Sequence, residues 1–142
     1  GMIPATNAIM VVTLQVLVTS ITKRISLLPV MAVGAFFYAT ANLGIAFATG
    51  FWGFWLCMVV MTIGELVLVP NSSTYAANLA PPDKRGRYMS LYGLTWGVAG
   101  GIGPVVGGLL NDWISPQAIW VGGALAGYLS VILFLRMRRS HE

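Results

Sequence analysis

The residue in this sequence best placed to do chemistry is Glu65, the single acid in the apolar stretch MVVMTIGELVLVP at positions 58–70. A charged side chain at the centre of a membrane helix costs on the order of 2.5–3.5 kcal/mol on insertion scales, and such residues face a bundle interior or a water-filled cavity. Thr62 at i−3 and Ser72 at i+7 share its helical face, with Met58 and Met61 beside them. A polar stripe edged by flexible, polarizable thioethers suits loose recognition of apolar cations. A carboxyl that carries a proton when its site is empty, and ionises beside a cation, is an exchange element. The alternative is a carboxyl that hydrogen-bonds a neighbouring helix and never changes charge. Gln15, Asn42 and Trp96 are further intramembrane candidates for the same cavity. The two amides serve equally well as interhelical glue, and Trp96 as filling. The lone Cys57 lies in an apolar run and the lone His141 near the end of the chain, so neither a disulfide framework nor a metal site is expected. An enzyme is not expected.

The elements that must position these residues follow from composition. The chain is 57% hydrophobic and 8% charged, with a mean hydropathy of +0.80. A soluble domain carries about 25% charged residues, so this chain cannot cover a water-facing surface. A crossing helix needs about 20 predominantly apolar residues. Such runs fall at about 3–21, 28–49, 51–75, 88–110 and 117–135. Thr49-Gly50 divides the second from the third, as a tight glycine turn. The fold class is all-α integral membrane, because β-barrel strands would alternate apolar and polar residues and these runs do not.

Charge distribution gives the orientation. The eight basic residues occupy three places: Lys23 and Arg24; Lys84, Arg85 and Arg87; Arg136, Arg138 and Arg139. With five spans all three lie on one side, and the other side carries only the acid Asp112. The positive-inside bias puts the N-terminus outside and a tail at 136–142 in the cytoplasm. The net charge of +4 follows from this topology and calls for no nucleic acid. Phe51, Trp52, Trp55, Trp113 and Trp120 fall at outer helix ends, while Tyr75 and Tyr88 bracket the third–fourth loop, as interfacial belts require.

The fourth span, with GLTWGVAGGIGPVVGG, places Gly93, Gly97 and Gly101 at spacings of four, with Gly108 on the same face and Gly103 and Gly107 as a second pair. Small residues so spaced let helix backbones approach closely in lipid. Pro104 removes a helical hydrogen bond and invites a kink or hinge. In the preceding loop, Pro81 and Pro82 stop one helix and Asp83 is placed to cap the next.

The stretch TIGELVLVPNSSTYAANLAPPDKRGRYMSLYGLTWGVAGGIGPVVGGLLND resembles the tenth and eleventh helices of a major facilitator superfamily transporter, of the drug:proton antiporter (multidrug efflux) type. The resemblance lies in a G-E followed by proline, a P-x-x-x-R-G-R-Y inner loop and G-P-x-x-G-G in the next helix. Residues 7–24 resemble that family's eighth helix, with Asn7 and Gln15 matching by position. Family members have two six-helix halves, so five spans resemble a C-terminal fragment, the eighth to twelfth helices, whose partner is the missing N-terminal half. The resemblance implies secondary active transport by alternating access in a cell (inner) membrane. Protons moving inward drive small amphipathic or cationic compounds outward, with the proton gradient and no bound cofactor as energy source. It further implies that Glu65 binds substrate or proton, and that Arg85, Gly86 and Arg87 form part of a cytoplasmic gate. No G-x-x-x-x-G-K-[ST] phosphate loop is present. A nutrient or metabolite permease on the same scaffold, or a non-transporting membrane assembly fragment, are the alternative readings.

The topology is testable by cysteine accessibility. A membrane-impermeant thiol reagent added from outside should label cysteines placed at Gly50 and Asp112 and miss those placed at Arg24 and Arg85. The opposite sidedness would overturn the five-span orientation.

Overall fold

The computed structural model describes residues 1–141, and Glu142, the last residue of the expected tail, lies outside the described residues. The described residues form five α-helices: α1 (Met2–Thr22), α2 (Leu27–Phe47), α3 (Gly50–Leu79), α4 (Arg85–Trp113) and α5 (Pro116–His141). All five are long and apolar enough to cross a membrane. Connections are short, so successive helices alternate in direction. At Gly50 the chain turns with φ +70, a left-handed conformation open to glycine without strain, and α3 starts there. The basic clusters at 23–24, 84–87 and 136–139 therefore share one end of the bundle.

Helix α4 extends three residues beyond the expected 88–110 at each end, and two other ends differ more from the sequence reading. Helix α3 continues through Tyr75 to Leu79, and α5 runs on to His141, through the arginines expected as a tail. Arginine is a good helix former, so the hydropathy limit marks where the apolar run stops and not where the helix stops. Asp83 does not cap α4. The turn Pro81–Lys84, closed by Lys84 N–H to the Pro81 carbonyl at 2.9 Å, moves the helix start past it. Lys84 occupies the cap position without a side-chain hydrogen bond.

Helix α2 is the centre of the bundle and packs most extensively against α3 and α5; α1 leans on α3, and α4 touches both α3 and α5. The buried residues of α2 are largely small: Ala32, Gly34, Ala35, Ala39, Ala41 and Ala46. They permit close backbone approach. A methyl built on Gly64 of α3 would meet the Gly34 carbonyl at 2.9 Å, and one on Gly34 would meet Leu68 Cβ at 2.8 Å. On the other side, a methyl at Gly127 of α5 would stand 2.7 Å from Ala39 Cβ. In lipid, where apolar side chains gain nothing by leaving the solvent, such contact and its dispersion energy hold helices together.

The expected close packing on the glycine face of α4 is not made within this bundle. Methyls at Gly93, Gly97, Gly101, Gly103 and Gly108 would meet nothing within 4 Å, and one at Gly107 only Ile119 at 3.9 Å. No residue of α4 is buried. The spacing permits a close approach but does not name the partner. Pro104 lies inside α4 without ending it, as Pro70 does in α3.

These contacts predict an asymmetry among glycines. In the full-length protein, Gly64→Ala and Gly127→Ala should each lower unfolding stability by about 1–3 kcal/mol through overpacking. Gly97→Ala should be neutral or slightly stabilising, since alanine exceeds glycine in helix propensity by up to about 1 kcal/mol. Denaturation in mild detergent reads the difference. Equal losses at Gly97 and Gly64 would contradict this packing.

Candidate functional site

The polar side chains of α1 and α3 form a seam along the length of the bundle. Near one end, the Trp55 indole donates to Thr6 Oγ1 at 3.0 Å. Next, the Asn7 carboxamide nitrogen donates to Glu65 Oε2 and to Thr62 Oγ1, both at 2.9 Å. Further along, Gln15 Nε2 reaches Thr19 Oγ1 at 3.0 Å and the Leu66 carbonyl at 3.4 Å. At the basic end, Asn71 Nδ2 donates to the Val67 carbonyl at 2.6 Å and to Thr22 Oγ1 at 3.4 Å. Each polar group buried between the two helices thus finds a partner, as burial in a medium without water demands.

Glu65 stands halfway along α3, about 22 Å from either end at 1.5 Å per residue. Its neighbours are arranged by helical geometry. Thr62, one turn back, is fully buried, and its hydroxyl donates to the Met58 carbonyl at 2.8 Å. That leaves the threonine oxygen able to accept from Asn7. Asn7 therefore bridges two groups of α3 with the two hydrogens of one amide. Glu65 is half-buried. Only its Oε2 has a hydrogen-bond partner among the described residues. Because no unpartnered side-chain oxygen is fully buried, Oε1 opens onto accessible space. No ion pair involves Glu65 among the described residues.

A second polar group lies toward α4. Ser72 shares a hydrogen bond with the Tyr92 hydroxyl at 2.9 Å, so it points away from the α1 seam that Thr62 joins. Tyr92 meets Trp96 edge-on at 6.4 Å between ring centroids. Together with Tyr38 these side chains line a cavity of about 370 Å³ among α2, α3, α4 and α5.

The candidates therefore separate. Glu65 and Gln15 lie on one seam, and Trp96 lines the neighbouring cavity. Asn42 is elsewhere: it donates to the Tyr38 carbonyl of its own helix at 3.0 Å and lies against Gly123 of α5. Arg85, Gly86 and Arg87 form the exposed first turn of α4. Residues alone did not single out the role of Asn7 as the hydrogen-bond partner of Glu65, nor Thr6, Tyr38, Asn71 and Tyr92. One signal was available for α1. Asn7, Gln15 and Thr22 recur at spacings of eight and seven, the period of a single helical face.

Comparison with known proteins agrees with this architecture. The family profile of the Major Facilitator Superfamily matches residues 1–142. The uncharacterized MFS-type transporter YhjO of Bacillus subtilis is 32% identical over 116 residues, 82% of this chain and 29% of its own length. The uncharacterized MFS-type transporter YdeE of Escherichia coli is 28% identical over 92% of this chain and 33% of its own length. A multi-drug resistance efflux pump PmrA homolog of Lactococcus lactis is 30% identical over 80% of this chain and 28% of its own length. The chain thus spans about a third of the length of these relatives, and no solved structure matches it. With five membrane-length helices and a family match from end to end, the chain belongs to the Major Facilitator Superfamily of multi-pass membrane transporters.

Proposed function

We propose that this chain supplies most of the C-terminal bundle of a proton-coupled exporter of small amphipathic or cationic compounds. Glu65 is the group that exchanges a proton for the cation. The observation that carries the reading is the state of that carboxylate. One oxygen is held by Asn7 and the other is accessible, in the middle of a membrane helix with no basic partner. Here an arriving cation or proton finds a free oxygen. The separate cavity lined by Tyr38, Tyr92 and Trp96 offers aromatic rings of the kind that attract organic cations. The Lactococcus relative is named a multi-drug resistance efflux pump homolog, which supports export as the direction.

In this reading the basic end of the bundle faces the cytoplasm of a cell whose inner membrane holds the protein. The N-terminal helices of the same transporter complete the central site, and the halves rock about it. Arg85, Gly86 and Arg87 act at the inner gate, where their exposure at the start of α4 leaves them available to the other half.

The test is made in the full-length protein at matched membrane expression. Glu65→Gln keeps the acceptor for Asn7 but cannot ionise. Transport of cationic substrates should fall sharply, and its pH dependence should flatten. Glu65→Asp should retain part of the activity. A Gln variant that exports cationic drugs at the wild-type rate with an unchanged pH profile would remove Glu65 from the mechanism.

A further inference from the structure

A second cavity lies at the opposite level of the bundle from the outer aromatic cluster, among the basic helix ends. It holds about 440 Å³ and is lined by Ser26 and Leu27 of the α2 start, Tyr75, Asn78 and Leu79 of the last turns of α3, and Arg138 of α5. We infer that this cavity binds the phosphate headgroup of an anionic phospholipid from the adjoining leaflet.

Three independent features point there. The first is chemical. The Tyr75 hydroxyl and the Asn78 carboxamide line the cavity and make no hydrogen bond within the described residues. Ser26 occupies the cap position of α2 without a side-chain cap bond, which leaves the Leu27 and Leu28 amides without an acceptor. The hydroxyl of half-buried Tyr75, the carboxamide of exposed Asn78 and the start of α2 border one space. The second is charge. Lys23 and Arg24 precede Ser26 in the connecting turn, Arg138 lines the wall, and this end of the bundle carries every lysine and arginine of the chain. An anion is the complementary guest. The third is the apolar half of the lining. Leu27 and Leu79 border the same space, and Leu79 is 53% exposed. A free inorganic anion gains nothing from leucine, whereas a lipid offers a phosphate for the donors and an acyl chain for the leucines. The cavity lies at the helix ends, the depth at which headgroup meets hydrocarbon. This site is separate from Glu65, and lipid binding here does not depend on proton exchange there.

The experiment uses the full-length protein exchanged from native membrane into neutral detergent, with lipid retention read by native mass spectrometry. Phosphatidylglycerol should be retained in preference to phosphatidylcholine, and added inorganic phosphate should not displace it. Tyr75→Phe combined with Asn78→Leu removes both side-chain donors and should weaken retention on the order of a hundredfold, two charge-assisted hydrogen bonds being lost. A second variant covers the case in which that pair fails to fold. Leu27→Glu places a carboxylate at the first turn of α2, where it favours the helix and repels a phosphate, so retention of phosphatidylglycerol should be lost with the fold intact. Equal retention of the two lipids, retention unchanged in Leu27→Glu, or displacement by inorganic phosphate alone would each overturn the assignment.

Discussion

The carboxamide of Asn7 holds α1 to the centre of α3 and fixes where Glu65 points. Its two hydrogens satisfy the Glu65 carboxylate and the Thr62 hydroxyl, and Gln15 of the same helix reaches the Leu66 carbonyl beside them. Without this bridge, a half-buried acid in the middle of a membrane helix would need a proton, a cation or water to offset its desolvation. With it, one oxygen is anchored and the other stays open. Anchoring and availability together are what the proposed proton exchange at Glu65 requires.

The rest of the bundle can be understood as the frame that keeps α3 in place. Gly34 and Gly64 let α2 and α3 cross at backbone distance, and Ala39 and Gly127 do the same for α2 and α5. These contacts are stiff, because a close-packed interface has no room for small displacements. By contrast α1 is tied to α3 by hydrogen bonds between side chains, and α4 by the Ser72–Tyr92 contact and a narrow edge along α5. The bundle thus has a rigid centre and two outer helices on looser attachments. Both loosely held helices carry wide unburied faces.

Much of this was legible in the residues. Five apolar runs gave five helices, and Thr49-Gly50 marked the one break that hydropathy alone would miss, because only glycine turns there at φ +70 without strain. Glu65 stood out through its cost of burial, and Gln15 lies on its seam. The remainder depended on which face of each helix meets which neighbour. Seven residues separate Ser72 from Glu65, which favours a common face, yet Ser72 turns to Tyr92 while Glu65 turns to Asn7. Gly97 and Gly101 have the spacing of a close helix crossing, but the crossings fall at Gly34, Gly64 and Gly127, where a neighbouring backbone is present. Asn42 is polar and central in its span, and its partner is its own helix. Periodicity gives a residue its face; tertiary packing gives that face its partner.

The most direct test of Glu65 as an exchanging acid is a count of protons released when a cationic substrate binds to the purified full-length transporter in weakly buffered solution. Release of a proton on binding by the wild-type protein, and none by Glu65→Gln at equal substrate occupancy, is the predicted result. Equal release by both proteins would contradict it and would return Glu65 to a purely structural place between α1 and α3.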